Sequence, residues 1–372
     1  MIYMDNSATT AIYPEVLDAM MPYLREEYGN PSSKYYTLAS NSKLAVEEAR
    51  QKVAYLLGCE HDEIVFTSGA TESNNMIIKG VLDYYNKNNG SIVTSSVEHP
   101  SVLETCNYLQ SKGISVTYLA VDNMGRVSLD DIILAIKKQP TLLSVIWGNN
   151  EVGSLNPIET IASDCDKNGI LFHTDATQVV GKVEFQLSKI PGIRFLSLSG
   201  HKLHAPKGIG VAYIKKQTKE IYSKITPLLH GGGQENNYRS GTLAVHNIVG
   251  LGKAAEVAKL KQKNTVQHLL NLEKQLTILL KEKFHDKIKF NNDHSNKIPG
   301  ILSIQFIGLN NELLIKKLAP YLAISTGSAC SSSKPSHVLQ EMGLPVSEIR
   351  QTLRISLSAI NTTEDISFFN NL

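Results

Sequence analysis

Five residue types stand where chemistry is plausible: a lysine, an aspartate, a histidine, a cysteine and an arginine. Lys202 follows the apolar run 193–198 and the small polar pair Ser199-Gly200, and the Pro/Gly-rich turn 203–208 separates it from a second apolar run, 209–214. A lysine presented from a corner of Gly200, Pro206 and Gly208 is not on a solvated helix face; it is a structural cation or a nucleophile. Asp175 closes the apolar run 170–174. A carboxylate there is largely desolvated and needs a cation, either a neighbouring Lys or Arg or a protonated ring nitrogen. Gly69-Ala70-Thr71 opens a helix directly after a strand. Its free N–H groups and positive dipole end make a phosphate site or an ordinary cap. Ser199 and His201 can add donors to the same anion. His99 lies at another strand end, either as a structural residue or as a carrier of protons.

Cys330 lies in the stretch 325–335, which is rich in Ser and fits no helix or strand period. The stretch reads as a mobile, exposed loop, where a free cysteine is reactive more often than core-filling. Arg354 interrupts an apolar run, 353–357, and is paired internally or offered to a planar carboxylate. A phosphate cradle, a buried aspartate and a corner lysine are together the parts that pyridoxal phosphate requires. It needs a Schiff-base amine, an acid facing its ring nitrogen and an anion site.

The elements that must position these residues alternate. Strand-like runs at 63–67, 92–95, 141–147, 170–174, 193–198 and 209–214 are interleaved with helical periods, including 14–23, 44–57 and 69–85. Polar residues recur at the strand ends, where open α/β sheets place ligands. A Gly-rich loop over 227–241 leads to a long helical stretch, 245–284. Short strands at 287–290, 300–306 and 322–325 follow. The domain change is placed on the long helix: a large domain over 15–255, and a small one formed by 1–14 and 256–372.

Bulk properties narrow the function classes. The 372 residues carry 37 basic and 35 acidic side chains, a formal charge of +2, so no charged stripe points to nucleic acid. No apolar run is long enough to span a bilayer. The start, Met1-Ile-Tyr-Met-Asp5, lacks a cationic segment followed by an apolar core, so no signal peptide is expected and the expected compartment is the cytoplasm. The four cysteines, Cys59, Cys106, Cys165 and Cys330, have no paired metal-ligand spacing.

The sequence resembles the cysteine desulfurases of the NifS/IscS type, within the class-V aminotransferases. The resemblance covers nearly the whole chain. It is carried by Met4-Asp-Asn-Ser-Ala-Thr-Thr10, Gly29-Asn-Pro-Ser-Ser33, Phe66-Thr-Ser-Gly-Ala-Thr-Glu-Ser-Asn-Asn75, Glu98-His99, Asn149-Asn-Glu-Val-Gly153 and His173-Thr-Asp-Ala-Thr-Gln178. It continues through Ser199-Gly-His-Lys202, Gly231-Gly-Gly-Gln-Glu235, Arg239-Ser-Gly-Thr242, Gly327-Ser-Ala-Cys330 and Leu353-Arg-Ile-Ser356.

The resemblance implies an α/β fold of type I, like aspartate aminotransferase, with a mostly parallel seven-stranded sheet and a smaller α+β C-terminal domain. It implies pyridoxal 5'-phosphate held as a Schiff base on Lys202. His99 would stack on the ring and act as acid and base. Asp175 would face the ring nitrogen and Gln178 the ring hydroxyl. Ala70, Thr71, Ser199 and His201 would hold the phosphate, with Thr242 supplied by the other subunit of a homodimer. Asn150 and Arg354 would hold the substrate carboxylate. Cys330 would take the sulfur of L-cysteine as a persulfide, release alanine and pass sulfur to an acceptor protein, such as an iron–sulfur scaffold or a thiolation enzyme. A selenocysteine lyase, a cysteine-sulfinate desulfinase and a non-catalytic sulfur-relay subunit are the alternatives on the same fold.

Overall fold

Continuous apolar runs form the centre of the molecule. The computed structural model describes residues 1–85, 90–216, 223–327 and 334–371. Cys330 lies outside the described residues. In the central sheet, β2 (Ile64–Thr67), β3 (Ser91–Ser95), β4 (Ser115–Leu119), β5 (Leu142–Ser144), β6 (Leu171–Asp175), β7 (Phe195–Ser199) and β8 (Gly210–Ile214) stand in the order β2-β8-β7-β6-β5-β3-β4. These labels leave β1 for Ile2–Tyr3, which lies apart from this sheet.

Pairs from β7 across to β4 are parallel, and β8 is antiparallel to both its neighbours. Parallel neighbours require long crossovers. The helices Pro100–Ser111, Leu129–Ile136 and Ile158–Lys167 supply those from β3 to β6, and the segment 176–194, with the single short turn Leu187–Lys189, supplies the one from β6 to β7. Between β7 and β8 there is only the lysine corner, so β8 must turn back. With β8 alone reversed, the C-terminal ends of β2, β3, β5, β6 and β7 meet at one edge. Thr67, Ser95, Ser144, Asp175 and Ser199 are the last residues of those strands. The sheet is buried on both faces, with Phe172, Leu196, Leu198 and Val211 in one cluster and Phe195, Ala212 and Ile92 in another.

A second cluster gathers Leu302, Ile304, Leu353 and Ile355 around Leu269, Leu272, Leu276 and Leu280. Its strands β9 (Ile288–Phe290), β10 (Ile301–Phe306) and β12 (Thr352–Ser356) are antiparallel in the order β12-β10-β9. The helix Val245–Phe284 reaches both clusters: Ile248 and Leu251 pack in the first, and the four leucines, three or four apart, in this one. The helix runs close against Thr37–Leu57, where a Cβ on Gly252 would lie 2.6 Å from Ala49 Cα. The first residues cross over to this part of the molecule. β1 pairs in parallel with β11 (Leu322–Ala323), and Met4 is buried in the second cluster.

Five elements differ from the sequence reading. The run 141–147 is a strand only over Leu142–Ser144, and the run 322–325 only over Leu322–Ala323. The edge strand β4 and the helices Leu129–Ile136 and Ile158–Lys167 have no counterpart in it.

Candidate active site

The strand ends enclose a cavity of about 490 Å³. Ala70, Thr71, His99, Asn150, Asp175, Gln178, Ser199, His201, Lys202 and Arg354 line it. The structure thus brings together the sequence-predicted site residues, with two exceptions. Thr242 is exposed on the loop after Gly231–Gly233, away from this chain's cavity. Cys330 lies outside the described residues.

Lys202 ends a short 3-10 turn, Gly200–Lys202, directly after β7. Its Nζ donates to Ser7 O and Ala8 O, both at 2.5 Å. Ser7, Ala8 and Thr9 form a wall of the site. Gln178 Nε2 donates to the same Ser7 O at 2.9 Å, and Thr9 Oγ1 meets His201 Nδ1 at 3.1 Å. Lys182 holds the other end of the Gln178 amide, with Nζ 3.3 Å from Oε1. Burial, then the charge of Arg354, brings the Lys182 ammonium down to about 8.

Asp175 ends β6 with 4% of its surface exposed. Asn74 Nδ2 donates to its Oδ2 at 2.8 Å and Thr177 N to its Oδ1 at 2.9 Å. These hydrogen bonds keep it a buried acceptor at the cavity wall. The helix Ala70–Tyr85 points its N-terminus at the cavity, and Ser68, Gly69, Ala70 and Thr71 line it. The first-turn N–H groups have no intrahelical partner, so an anion fits there. That turn rests on backbone: a Cβ on Gly210 would lie 2.5 Å from Gly69 Cα. His201 beside it is neutral. Burial, reinforced by the charges of Lys202, Lys207 and His99, lowers it to about 4.

Arg354 is 1% exposed. Its Nη1 donates to Asn150 O and Gly327 O, each at 3.0 Å, and its Nη2 to Asp5 Oδ1 at 2.7 Å. Among the described residues its Nε is buried with no hydrogen-bond partner. A guanidinium has five N–H donors in a rigid fork. The edge formed by Nε and Nη2 is one that can take a carboxylate in bidentate fashion.

Glu98 and Glu151 are buried carboxyls that sequence reasoning did not assign. Glu98 Oε1 accepts from Ser95 Oγ at 2.5 Å and from Ile146 N at 2.8 Å. It replaces β3 as the partner of Ile146, which is why β5 stops at Ser144. Burial raises it to about 8. Glu151 lines the cavity, accepts from Ser336 Oγ at 2.5 Å and is also pushed upward by burial. His337, on the far side, donates Nε2–H to Glu98 O at 3.0 Å.

Three histidines, His173, His201 and His204, are each held near 4 by burial as the largest cause. Between about pH 4 and 6.5 the unfolded chain takes up protons there that the folded chain refuses, so stability rises with pH across that window. Above it the raised carboxyl of Glu98 acts in the opposite sense. Folded Glu98 keeps its proton up to about 8 while the unfolded one has lost it. Urea unfolding midpoints should climb from about pH 4.5 to 6.5 and then decline toward pH 8. Glu98→Gln should make the decline shallower, with Glu151, also raised by burial, keeping part of it; a Gln variant with the wild-type slope contradicts the assignment.

The parts fit pyridoxal phosphate: an amine on Lys202, a buried acceptor on Asp175 and an anion site at the helix N-terminus. The three described cysteines lie away from the cavity. Burial raises the thiols of Cys106 and Cys165 to about 12 and that of Cys59 further. Among the described residues no His/Cys/Asp/Glu cluster suits a metal, and no helix is long and apolar enough to cross a membrane.

Comparison with known proteins agrees. The chain is 45% identical over 370 residues to a cysteine desulfurase IscS of Methanosarcina thermophila, covering 98% of this chain and 89% of that one. A solved NifS-like protein superposes with a TM-score of 0.92 at 36% identity, covering 100% of this chain and 97% of its own. A structure described as SspA in complex with cysteine gives 0.82 at 35% identity, with 97% and 100% covered. The sequence family described as aminotransferase class-V, whose enzymes depend on pyridoxal phosphate, matches residues 2–369. A match of that extent, on a cavity with this lysine, aspartate and anion site, makes the chain a member of the class-V aminotransferase family.

Proposed function

We propose that the protein is a pyridoxal-phosphate-dependent cysteine desulfurase. It converts L-cysteine to L-alanine and moves the sulfur to Cys330 as a persulfide for a sulfur acceptor. The observation that carries the reading is the cavity itself: an amine, a buried aspartate, a helix N-terminus and a guanidinium line one space of amino-acid size. Relatives named as cysteine desulfurases over nearly the full chain support it.

Lys202, Asp175, Ala70, Thr71, Ser199 and His201 would hold the cofactor, and Gln178 its ring hydroxyl. When bound, it supplies an electron sink that acidifies Cα and weakens the bond to sulfur. Arg354 Nε and Nη2 take the substrate carboxylate, and Asn150, whose carbonyl is tied to Nη1, helps to frame it. Lys202 Nζ moves the Cα proton. His99 covers the ring face. The thiolate of Cys330 attacks the substrate sulfur, because the described cysteines are buried and inert. The parts 15–255, and 1–14 with 256–372, serve as a large domain and a small one that carries Cys330. Thr242, exposed in one chain, completes the phosphate site of a second copy, which makes the protein a homodimer. Unpaired cysteines at 59, 106 and 165 suit a reducing cytoplasm. The acceptor is an iron–sulfur scaffold or a thiolation enzyme.

The test is incubation with L-cysteine and a reducing thiol, with alanine and sulfide measured together. Equal amounts are expected. Cys330→Ala should keep the cofactor and lose turnover by roughly 100-fold or more. Full activity in that variant would point instead to a lyase or desulfinase, which need no attacking thiol.

A further inference from the structure

His99 has one ring nitrogen that is already spoken for. It is the N-cap of the helix Pro100–Ser111, and its Nδ1 accepts from Ser101 N at 3.1 Å. The hydroxyl of Ser101 lies 2.8 Å from the same Nδ1. Which way that second bond runs is decided one residue further on. Asn74 Nδ2 lies 2.9 Å from Ser101 Oγ and 2.8 Å from Asp175 Oδ2. A carboxylate only accepts, so the amide must present its NH₂ side to both. The orientation is kept although it leaves Asn74 Oδ1 buried without a partner among the described residues. Ser101 Oγ therefore accepts from Asn74, and its own proton goes to Nδ1. Two independent donors, a backbone N–H and a hydroxyl, now point at Nδ1. The neutral ring must carry its hydrogen on Nε2. Nε2 has no bond of its own among the described residues, and His99 lines the cavity.

We propose that Asn74 and Ser101 are positioning residues that lock His99 in the Nε2–H tautomer, so that His99 meets substrate and cofactor as a fixed hydrogen-bond donor, and that the same amide ties this setting to Asp175. This rests on the desulfurase reading and narrows the acid and base role that the resemblance assigns to His99. A ring already protonated on Nε2 takes no further proton there. It can release that proton only if Nδ1 receives another, and neither an amide nor a serine hydroxyl gives one up at ordinary pH. Proton movement at Cα is left to Lys202. The charged groups facing the ring are Asp175 from β6, Lys202 from the turn after β7 and His337 from the helix His337–Glu341. Burial lowers His99, and Lys202 and His337 add to this against the opposing pull of Asp175. The ring is thereby kept neutral, in keeping with the tautomer that the hydrogen bonds select.

The experiment is nitrogen NMR of the holoenzyme labelled in its histidine rings, with His99 assigned by difference from His99→Gln. Expected is an unprotonated Nδ1 and a protonated Nε2, unchanged from about pH 6 to about pH 9. A reversed pair, or a ring that titrates in this range, overturns the proposal. Asn74→Ala should move the His99 signals toward a tautomer average and slow alanine formation by roughly tenfold at unchanged cofactor content. Ser101→Ala, which removes the hydroxyl donor itself and leaves only the backbone N–H at Nδ1, should move both readouts the same way. Wild-type shifts and rates in both variants would also overturn it. If Asn74→Ala fails to fold, the wild-type spectrum and Ser101→Ala decide. Absence of alanine formation in the wild type would count against the desulfurase reading alone, since the ring-nitrogen shifts do not depend on turnover.

Discussion

Lys202→Ala loses both turnover and the visible absorption of the bound cofactor. The expectation rests on a comparison of two amines. Lys202 and Lys207 both line the cavity. Lys202 is held at the end of a one-turn element, with Nζ against two carbonyls of the N-terminal segment. Lys207 is exposed. Only a held amine can be delivered repeatedly to one atom. Removing a group that both anchors the cofactor and moves the proton should cost at least about 10²- to 10⁴-fold. Lys202→Arg should be as inactive as the alanine variant, because a guanidinium stays protonated and cannot act as a nucleophile. Lys207→Ala should keep the absorption. An absorbing Lys202→Ala protein that bleaches on the additional loss of Lys207 would transfer the anchor to Lys207.

Glu235→Ala is the substitution expected to cost most in stability. The Glu235 side chain is 1% exposed and accepts from Arg50 Nη1 at 2.9 Å, Arg50 Nη2 at 2.7 Å and Phe66 N at 2.6 Å. Arg50 also donates to Ile64 O at 2.7 Å and lies over the Phe66 ring, 4.8 Å from its centroid. Truncating Glu235 leaves a guanidinium buried against β2 with only the half-buried Glu47 carboxylate, 3.3 Å from its Nε, as counter-charge. Breaking one partner of such a pair costs about 3–5 kcal/mol. Glu235→Gln, which keeps an acceptor, should cost less. Arg50→Met with Glu235→Leu should recover much of the loss, since burial of the charges is itself expensive. Urea unfolding of the single and double variants gives these numbers. A loss below about 1 kcal/mol for Glu235→Ala would show that the pair is dispensable.

The same carboxylate explains a strained loop. Glu235, Asn236 and Asn237 have φ of 49°, 54° and 66°. Asparagine tolerates that region and glutamate does so poorly. The ion pair offsets the strain and fixes the Gly-rich loop to β2. Arg239 Nε, bonded to Glu72 Oε1 at 2.8 Å, fixes it a second time, to the helix whose N-terminus offers the anion site. The loop that carries Thr242 is thus tied at two points, to the strand before the turn at Gly69 and to the helix after it.

The sequence made some of this readable, for physical reasons. Strands β6, β7 and β8 are buried on both faces, so their apolar runs are unbroken. β4 is an edge strand with Ser115, Thr117 and Tyr118 exposed, and its pattern is that of a loop. β5 stops short of 147 because the Glu98 side chain takes the place of its neighbour, a substitution no periodicity records. Lys202, Asp175 and the turn at Gly69 were legible because a charge or a glycine at a strand end is conspicuous. Asn74 and Ser101 were not, because both types are ordinary near helix starts and their partners come from three different elements. Asp5, Ser7 and Ala8 escaped for another reason: what the last two contribute is a carbonyl, which every residue has.

That N-terminal segment has a consequence for biosynthesis. Ser7 N donates to Ser356 Oγ across a separation of 349 residues, and Asn6 Nδ2 to Ser356 O across 350. Asn6 and Ser7 leave the ribosome long before Ser356 and must wait for it to find their places. Lys202 and the anion site can be assembled on a growing chain, but the carbonyls that seat the amine cannot settle until β12 has emerged. Contacts of such span are slow to form. Maturation of the site, and with it stable retention of the cofactor, is a late event that closes a ring across 349 residues.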